Sequence, residues 1–120
     1  MPVIRIEVPE GTDRGCKTRI REGVKQAVLD TLAPKETKYD YVAVREAFAE
    51  IGDGLPLVAV DLRPGREPER KKALVDAIAA ILNAELGVVA EDVYVLFREI
   101  PAENHYTGGQ PLPAWVPADR

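Results

Sequence analysis

The sequence predicts an α+β fold in which two βαβ units build one four-stranded sheet with both helices on a single face. Three observations predict it. The chain is written twice: with Pro2 laid over Pro56, Val3-Ile4-Arg5-Ile6-Glu7-Val8 falls on Leu57-Val58-Ala59-Val60-Asp61-Leu62 without a gap. Each copy opens on a run that alternates between apolar and other side chains, the period of a strand. Each then carries apolar residues at helical spacing and closes on a second strand-like run. Two copies make an internal duplication, since a solenoid needs at least three.

Taken in order, residues 3–8 put Ile4, Ile6 and Val8 on one face. Residues from about 13 to 32 read as a helix striped by Cys16, Ile20, Val24, Ala27 and Val28. Tyr41-Val42-Ala43-Val44-Arg45-Glu46 is the next strand. In the second copy Val58, Val60 and Leu62 share a face of 57–62, and Leu74, Ile78, Ile81 and Leu82 stripe a helix over about 67–86. A strand over about 93–98 follows. Gly11 lies over Gly65, Lys17 over Lys71 and Leu32 over Leu86; the offset then slips by one, and Tyr41-Val42 overlies Tyr94-Val95. Strand, helix, strand in this order implies a parallel pair with a right-handed crossover. The pseudo-repeats are thus about 2–54 and 56–109 of a single domain spanning 1–120, with a Pro-rich tail over 110–120.

The outer face of that sheet should carry Arg5, Glu7, Tyr41, Ala43, Arg45, Ala59, Asp61, Tyr94, Leu96 and Arg98. Charges of both signs beside tyrosines suit a subunit interface better than a bare surface. The tail is expected to pack extended on a neighbour.

Composition bounds the function. A length of 120 residues suits one compact domain, and a net charge of −4 speaks against nucleic acid as a partner. There is no run long enough to span a bilayer and no secretory pattern, so a cytoplasmic protein with no membrane partner is expected. Cys16 is the one cysteine and His105 the one histidine. They make neither an internal disulfide nor a plausible zinc site. The expected chemistry is organic, with no cofactor and no metal.

Two features carry chemistry. Pro2 follows the initiator methionine, whose removal is expected before so small a residue. Its ring nitrogen would then be a free secondary amine at a strand start, able to take or give a proton. The second is the turn after the third strand. Where the first copy reads Pro9-Glu10-Gly11-Thr12, the second reads Arg63-Pro64-Gly65-Arg66. Two guanidiniums at a helix entrance make an anion site. The alternative is a pair of solvated turn arginines partnered by Glu67 and Glu69. As turn residues, both are expected to leave thermal stability almost untouched when replaced. Asn104 and His105 stand before Gly108-Gly109, a turn signal that suggests a hairpin closing one side of a pocket.

The Pro2 start, the duplication and the Arg63-Pro-Gly-Arg66 turn together resemble the tautomerase superfamily, the 4-oxalocrotonate tautomerase-like proteins. The second half, with Arg98-Glu99 and the tail Leu112-Pro113-Ala114-Trp115-Val116-Pro117, is similar to one chain of the trans-3-chloroacrylic acid dehalogenases. The first half is similar to the partner chain, so the whole looks like a fused two-unit member. The resemblance implies Pro2 as catalytic residue and Arg63 and Arg66 as holders of a substrate carboxylate. His105 or Tyr106 would be an aromatic wall. Thr107 stands where the dehalogenases place a water-activating glutamate, and Leu32 where the cis-specific enzyme has a histidine. The decarboxylases' aspartate falls near Thr37, with Asp40 as a shifted substitute. A third tautomerase arginine falls at Tyr41 or Tyr94.

The expected function is a tautomerase acting on a small 2-oxo or enol carboxylic acid. Pro2 would be the general base: an α-amino group titrates at about 8 in isolation, and two nearby cations lower that. The alternatives are a 3-haloacrylate dehalogenase/hydratase or a decarboxylase with protonated Pro2 as acid, or a non-catalytic trimeric binding protein. In each case a homotrimer is expected.

Overall fold

A computed structural model describes residues 2–35, 40–47 and 55–119. Met1 and Thr37 lie outside them. The elements are β1 (Val3–Val8), α1 (Arg14–Leu32), β2 (Tyr41–Glu46), β3 (Leu57–Leu62), α2 (Pro68–Leu86) and β4 (Tyr94–Glu99). A small hairpin follows, β5 (Tyr106–Thr107) and β6 (Gln110–Pro111), turned by Gly108 and Gly109 at positive φ. The main sheet runs β2-β1-β3-β4. β1 pairs parallel with β2 and β3 parallel with β4, while the two units meet antiparallel along β1 and β3.

Local chemistry sets the helix starts. Asp13 caps α1 by accepting the Cys16 backbone N–H at 2.7 Å, a bond of about 1 kcal/mol. Pro68 opens α2, where its missing N–H costs nothing. The apolar stripes meet over one sheet face. Ile4, Ile6, Val58, Val60 and Leu62 from the strands and Ile20, Val24, Val28, Leu74, Ile78 and Leu82 from the helices are fully buried. Each such side chain stabilises the fold by about 1.5–3 kcal/mol. The helices approach closely at Gly23, where a Cβ would stand 3.2 Å from Cδ1 of Ile81.

The opposite face is open and polar at its centre. Asp61 is buried there and accepts from Arg98 Nε at 2.6 Å, Arg98 Nη2 at 2.9 Å and Arg5 Nη1 at 3.0 Å. The Arg98 bonds, helped by Arg5 and opposed by burial, hold its carboxyl below the usual carboxylate range. Tyr41, Tyr94 and Leu96 stand exposed around it. Among the described residues no helix is long and apolar enough to cross a membrane.

Candidate active site

The turn from β3 into α2 brings two arginines inward. Gly65 sits at φ +119°, a region that disfavours any side chain, and lies against the Trp115 ring. Arg66 is 3% exposed and Arg63 is 7% exposed. Arg66 Nε donates to the Leu32 carbonyl at 2.9 Å, and Arg63 Nη1 donates to the Pro113 carbonyl at 2.6 Å. The Arg66 guanidinium lies 4.4 Å from the centre of the Trp115 ring. Its two terminal nitrogens, and Nε of Arg63, are buried and meet no hydrogen-bond acceptor among the described residues. Burial, and next the Arg63 charge, push Arg66 down to about 10, against the pull of Asp40. Burial alone pushes Arg63 down. Buried N–H groups without acceptors are costly, and an anion is the partner that would satisfy them.

The helix end explains why the chain places Arg66 here. α1 ends at Leu32 without a basic residue in its last turn. Its final carbonyls are the negative end of the helix dipole and need donors from elsewhere. Arg66 serves Leu32, Arg70 Nη1 reaches the Thr31 carbonyl at 3.4 Å, and Trp115 Nε1 serves Ala33 at 3.3 Å.

Pro2 is buried at the head of β1. Val3 faces Asp61 on β3, so one step further Pro2 faces Leu62, next to Arg63. Val3 also faces Tyr41 on β2, and the Tyr41 N–H donates to the Pro2 carbonyl at 3.1 Å. Asp40 therefore comes alongside Pro2. Its carboxyl is pushed up by burial, against the pull of Arg66 and Lys25 among the described residues. Sequence reasoning offered Asp40 only as a shifted substitute for the decarboxylases' aspartate; strand register sets it beside Pro2.

The other sequence candidates stand apart. The His105 ring Nε2 is 2.9 Å from the Ile100 carbonyl. Tyr106 is 62% exposed on the hairpin, and neither residue hydrogen-bonds Arg63 or Arg66 among the described residues. Thr107 pairs with Gln110 in the same hairpin. Leu32 is fully buried in the core. Among the described residues no group of three His, Cys, Asp or Glu comes together as a metal site.

Two expectations need correction. The arginines are not solvated turn residues partnered by Glu67 and Glu69: both are buried and both brace backbone carbonyls. Replacing either reaches the end of α1 or the tail, so indifference of thermal stability does not follow. The tail does not extend away from its own chain. It folds over its own chain: Trp115 is 9% exposed, the Ala118 N–H donates to the Ala33 carbonyl at 3.1 Å, and Asp119 takes both Arg70 terminal nitrogens at 3.0 Å. Positive charge at an otherwise uncapped helix end is what draws it back.

The chain is similar to known proteins in sequence and in fold. A family model described as "Tautomerase enzyme" matches residues 56–114, which include the arginine turn. A probable tautomerase of Ralstonia nicotianae is 37% identical over 60 residues, covering 50% of this chain and 86% of the relative. Two solved structures share the fold. One is a fused 4-OT asymmetric trimer, with a TM-score of 0.79 and 22% identity over 91% of this chain and 94% of that one. The other belongs to the cis-3-chloroacrylic acid dehalogenase family, with a TM-score of 0.78 and 23% identity over 93% of this chain and 84% of that one. By sequence and by fold, the chain belongs to the tautomerase superfamily.

Proposed function

We propose that this protein is a tautomerase for a small 2-oxo or enol carboxylic acid, working through a free Pro2 amine. The observation that carries the reading is the pair of buried guanidiniums with unsatisfied N–H groups, set beside the head of β1. Arg63 and Arg66 hold the substrate carboxylate through charge-assisted bonds. That fixes the adjacent enol beside Pro2. The neutral amine takes the proton from the enol oxygen as the C=O bond forms. The resulting ammonium returns a proton to the neighbouring carbon, which the former C=C electrons now bond. His105 and Tyr106 complete the wall of the pocket in the working assembly, which is a cytoplasmic homotrimer joined through the open sheet faces. The fused 4-OT of like fold is itself a trimer.

A second reading is favoured by Asp40. A carboxylate alongside Pro2 stabilises its protonated form. Pro2 would then act as an acid, in hydration of a 3-haloacrylate or in decarboxylation. The two readings differ in the sign of the pH dependence. With Pro2 as base, the rate rises with pH through its pKa; with Pro2 as acid, the rate falls.

The test is turnover of phenylenolpyruvate and 3-haloacrylates by protein whose loss of Met1 has been established by mass spectrometry. The enol acid should be the substrate. Arg66→Ala and Arg63→Ala should each lower kcat/KM by about 10- to 150-fold, the worth of a hydrogen bond to a charged group. Wild-type kinetics in both variants would remove the carboxylate from this site.

A further inference from the structure

We infer that the C-terminal tail is a built part of the anion site, and that Trp115 is the positioning residue that aims Arg66. This rests on the carboxylate-binding reading above. Among the described residues Arg66 makes one hydrogen bond, through Nε to the Leu32 carbonyl. A guanidinium held at Nε alone can still tip about that bond. The Trp115 ring closes one face of it at 4.4 Å, within the range of a cation–π contact. That fixes the plane while leaving the terminal edge, Nη1 and Nη2, free for a ligand.

The ring is held for this task. Its Nε1–H donates to the Ala33 carbonyl at 3.3 Å, and three and four residues later the Ala118 and Asp119 contacts pin the chain. Just before the ring, the Pro113 carbonyl takes Arg63 Nη1 at 2.6 Å. One short segment thus sets both arginines: one by a backbone acceptor, the other by an aromatic face. Its neighbours Ala114 and Val116 are exposed while Pro117 is buried, so this stretch turns alternate residues inward, Trp115 among them. Arg70 also lies 5.6 Å from the ring centre and is tied by Glu67 and Asp119; of the two guanidiniums at the ring, Arg66 is the one whose terminal nitrogens meet no acceptor among the described residues.

The test is calorimetric binding of phenylpyruvate to the wild type and to Arg66→Ala, Trp115→Leu and Trp115→Phe. Leu keeps apolar bulk without the aromatic face; Phe keeps the face without the N–H. Trp115→Leu should weaken binding by about 3- to 30-fold, and Trp115→Phe should recover to within about threefold of the wild type. Trp115→Leu binding like the wild type, or Leu and Phe being equally weak, would overturn the proposal while Arg66→Ala remained impaired. If Arg66→Ala itself bound normally, the carboxylate reading would fall first. Should Trp115→Leu not fold, the wild type still decides. Trp115 is the single tryptophan, so pyruvate binding at Arg66 must change its fluorescence, and Arg66→Ala must abolish that change. Pyruvate binding with unaltered emission would separate the ring from the site.

Discussion

The two helices end alike in backbone and unlike in chemistry. α1 stops at Ala33 and α2 at Gly87, both in left-handed conformation, one position after the duplicated leucines Leu32 and Leu86. α2 closes itself: the Gly87 N–H returns to the Asn83 carbonyl at 2.9 Å and Asn83 Nδ2 donates to Val88 at 3.1 Å. α1 is closed by Arg66 and Arg70 from the other copy and by Trp115 from the tail. The counterpart of Arg70 is Cys16, whose thiol meets the Glu85 carbonyl at 3.5 Å just as Arg70 meets Thr31. The counterparts of Arg63 and Arg66 are Pro9 and Thr12, and the Thr12 hydroxyl bonds back to the Pro9 carbonyl at 2.7 Å. One frame, used twice, has been made cationic at one end only. The shared scaffold is still visible in the paired ion bridges Lys17–Glu46 and Lys71–Glu99, both at 3.0 Å. The two copies differ in chemistry at one turn, and the tail has no counterpart in the first copy.

That comparison can be broken at its chemical end. A carboxylate that binds the native state raises its melting temperature by mass action. Phenylpyruvate should do so for the wild type and for Thr12→Ala, but not for Arg66→Ala. Loss of the shift in Thr12→Ala would mean that both ends bind anions.

The open sheet face offers a second contrast. Asp61 and Glu7 are counterparts, as are Arg98 and Arg45. Asp61 is gripped by two arginines, whereas Glu7 meets Arg45 only at 3.7 Å. Asp61→Asn should cost about 1–2 kcal/mol at pH 7, discounted because both arginines are half exposed, and Glu7→Gln under about 0.5 kcal/mol. The folded carboxyl of Asp61 is depressed, so its contribution is present above the ordinary value of 3.8 and is lost as pH falls below it. Denaturant melts of Asp61→Asn and wild type should therefore converge in acid. A gap that persisted well below the depressed value would point to packing instead of charge.

The smallest effect lies in the caps. Gly87→Ala, at φ +71°, should cost about 1 kcal/mol. Ala33→Gly, at φ +46°, should change stability by less than about 0.5 kcal/mol, because relief of the backbone is offset by the loss of a buried methyl. Equal effects at both sites would show that the tail does not brace α1.

Much of the fold was legible because its signal is periodic. The alternation of Ile4, Ile6 and Val8 and the stripe of Ile20, Val24 and Val28 fix which face is buried without any knowledge of partners. The arginine turn was legible as a departure from the repeat, since Arg63 and Arg66 replace Pro9 and Thr12. What sequence could not supply was the direction those side chains take. Nothing local says that Arg66 turns inward to the end of α1, because its acceptor is 34 residues away. Trp115 reads as ordinary interface or core until the tail is seen to fold back on Ala33. Asp40 lies just outside the alternating run, so only strand register brings it to Pro2.

The central claim is that a free Pro2 amine works beside the two arginines. The most direct measurement is turnover of phenylenolpyruvate by protein beginning at Pro2, against the same protein carrying one extra residue before it. The account predicts activity in the first and none in the second, with unchanged melting, because the amine has become an amide. An extended protein that still turned over the enol acid would contradict amine catalysis in either direction of proton transfer.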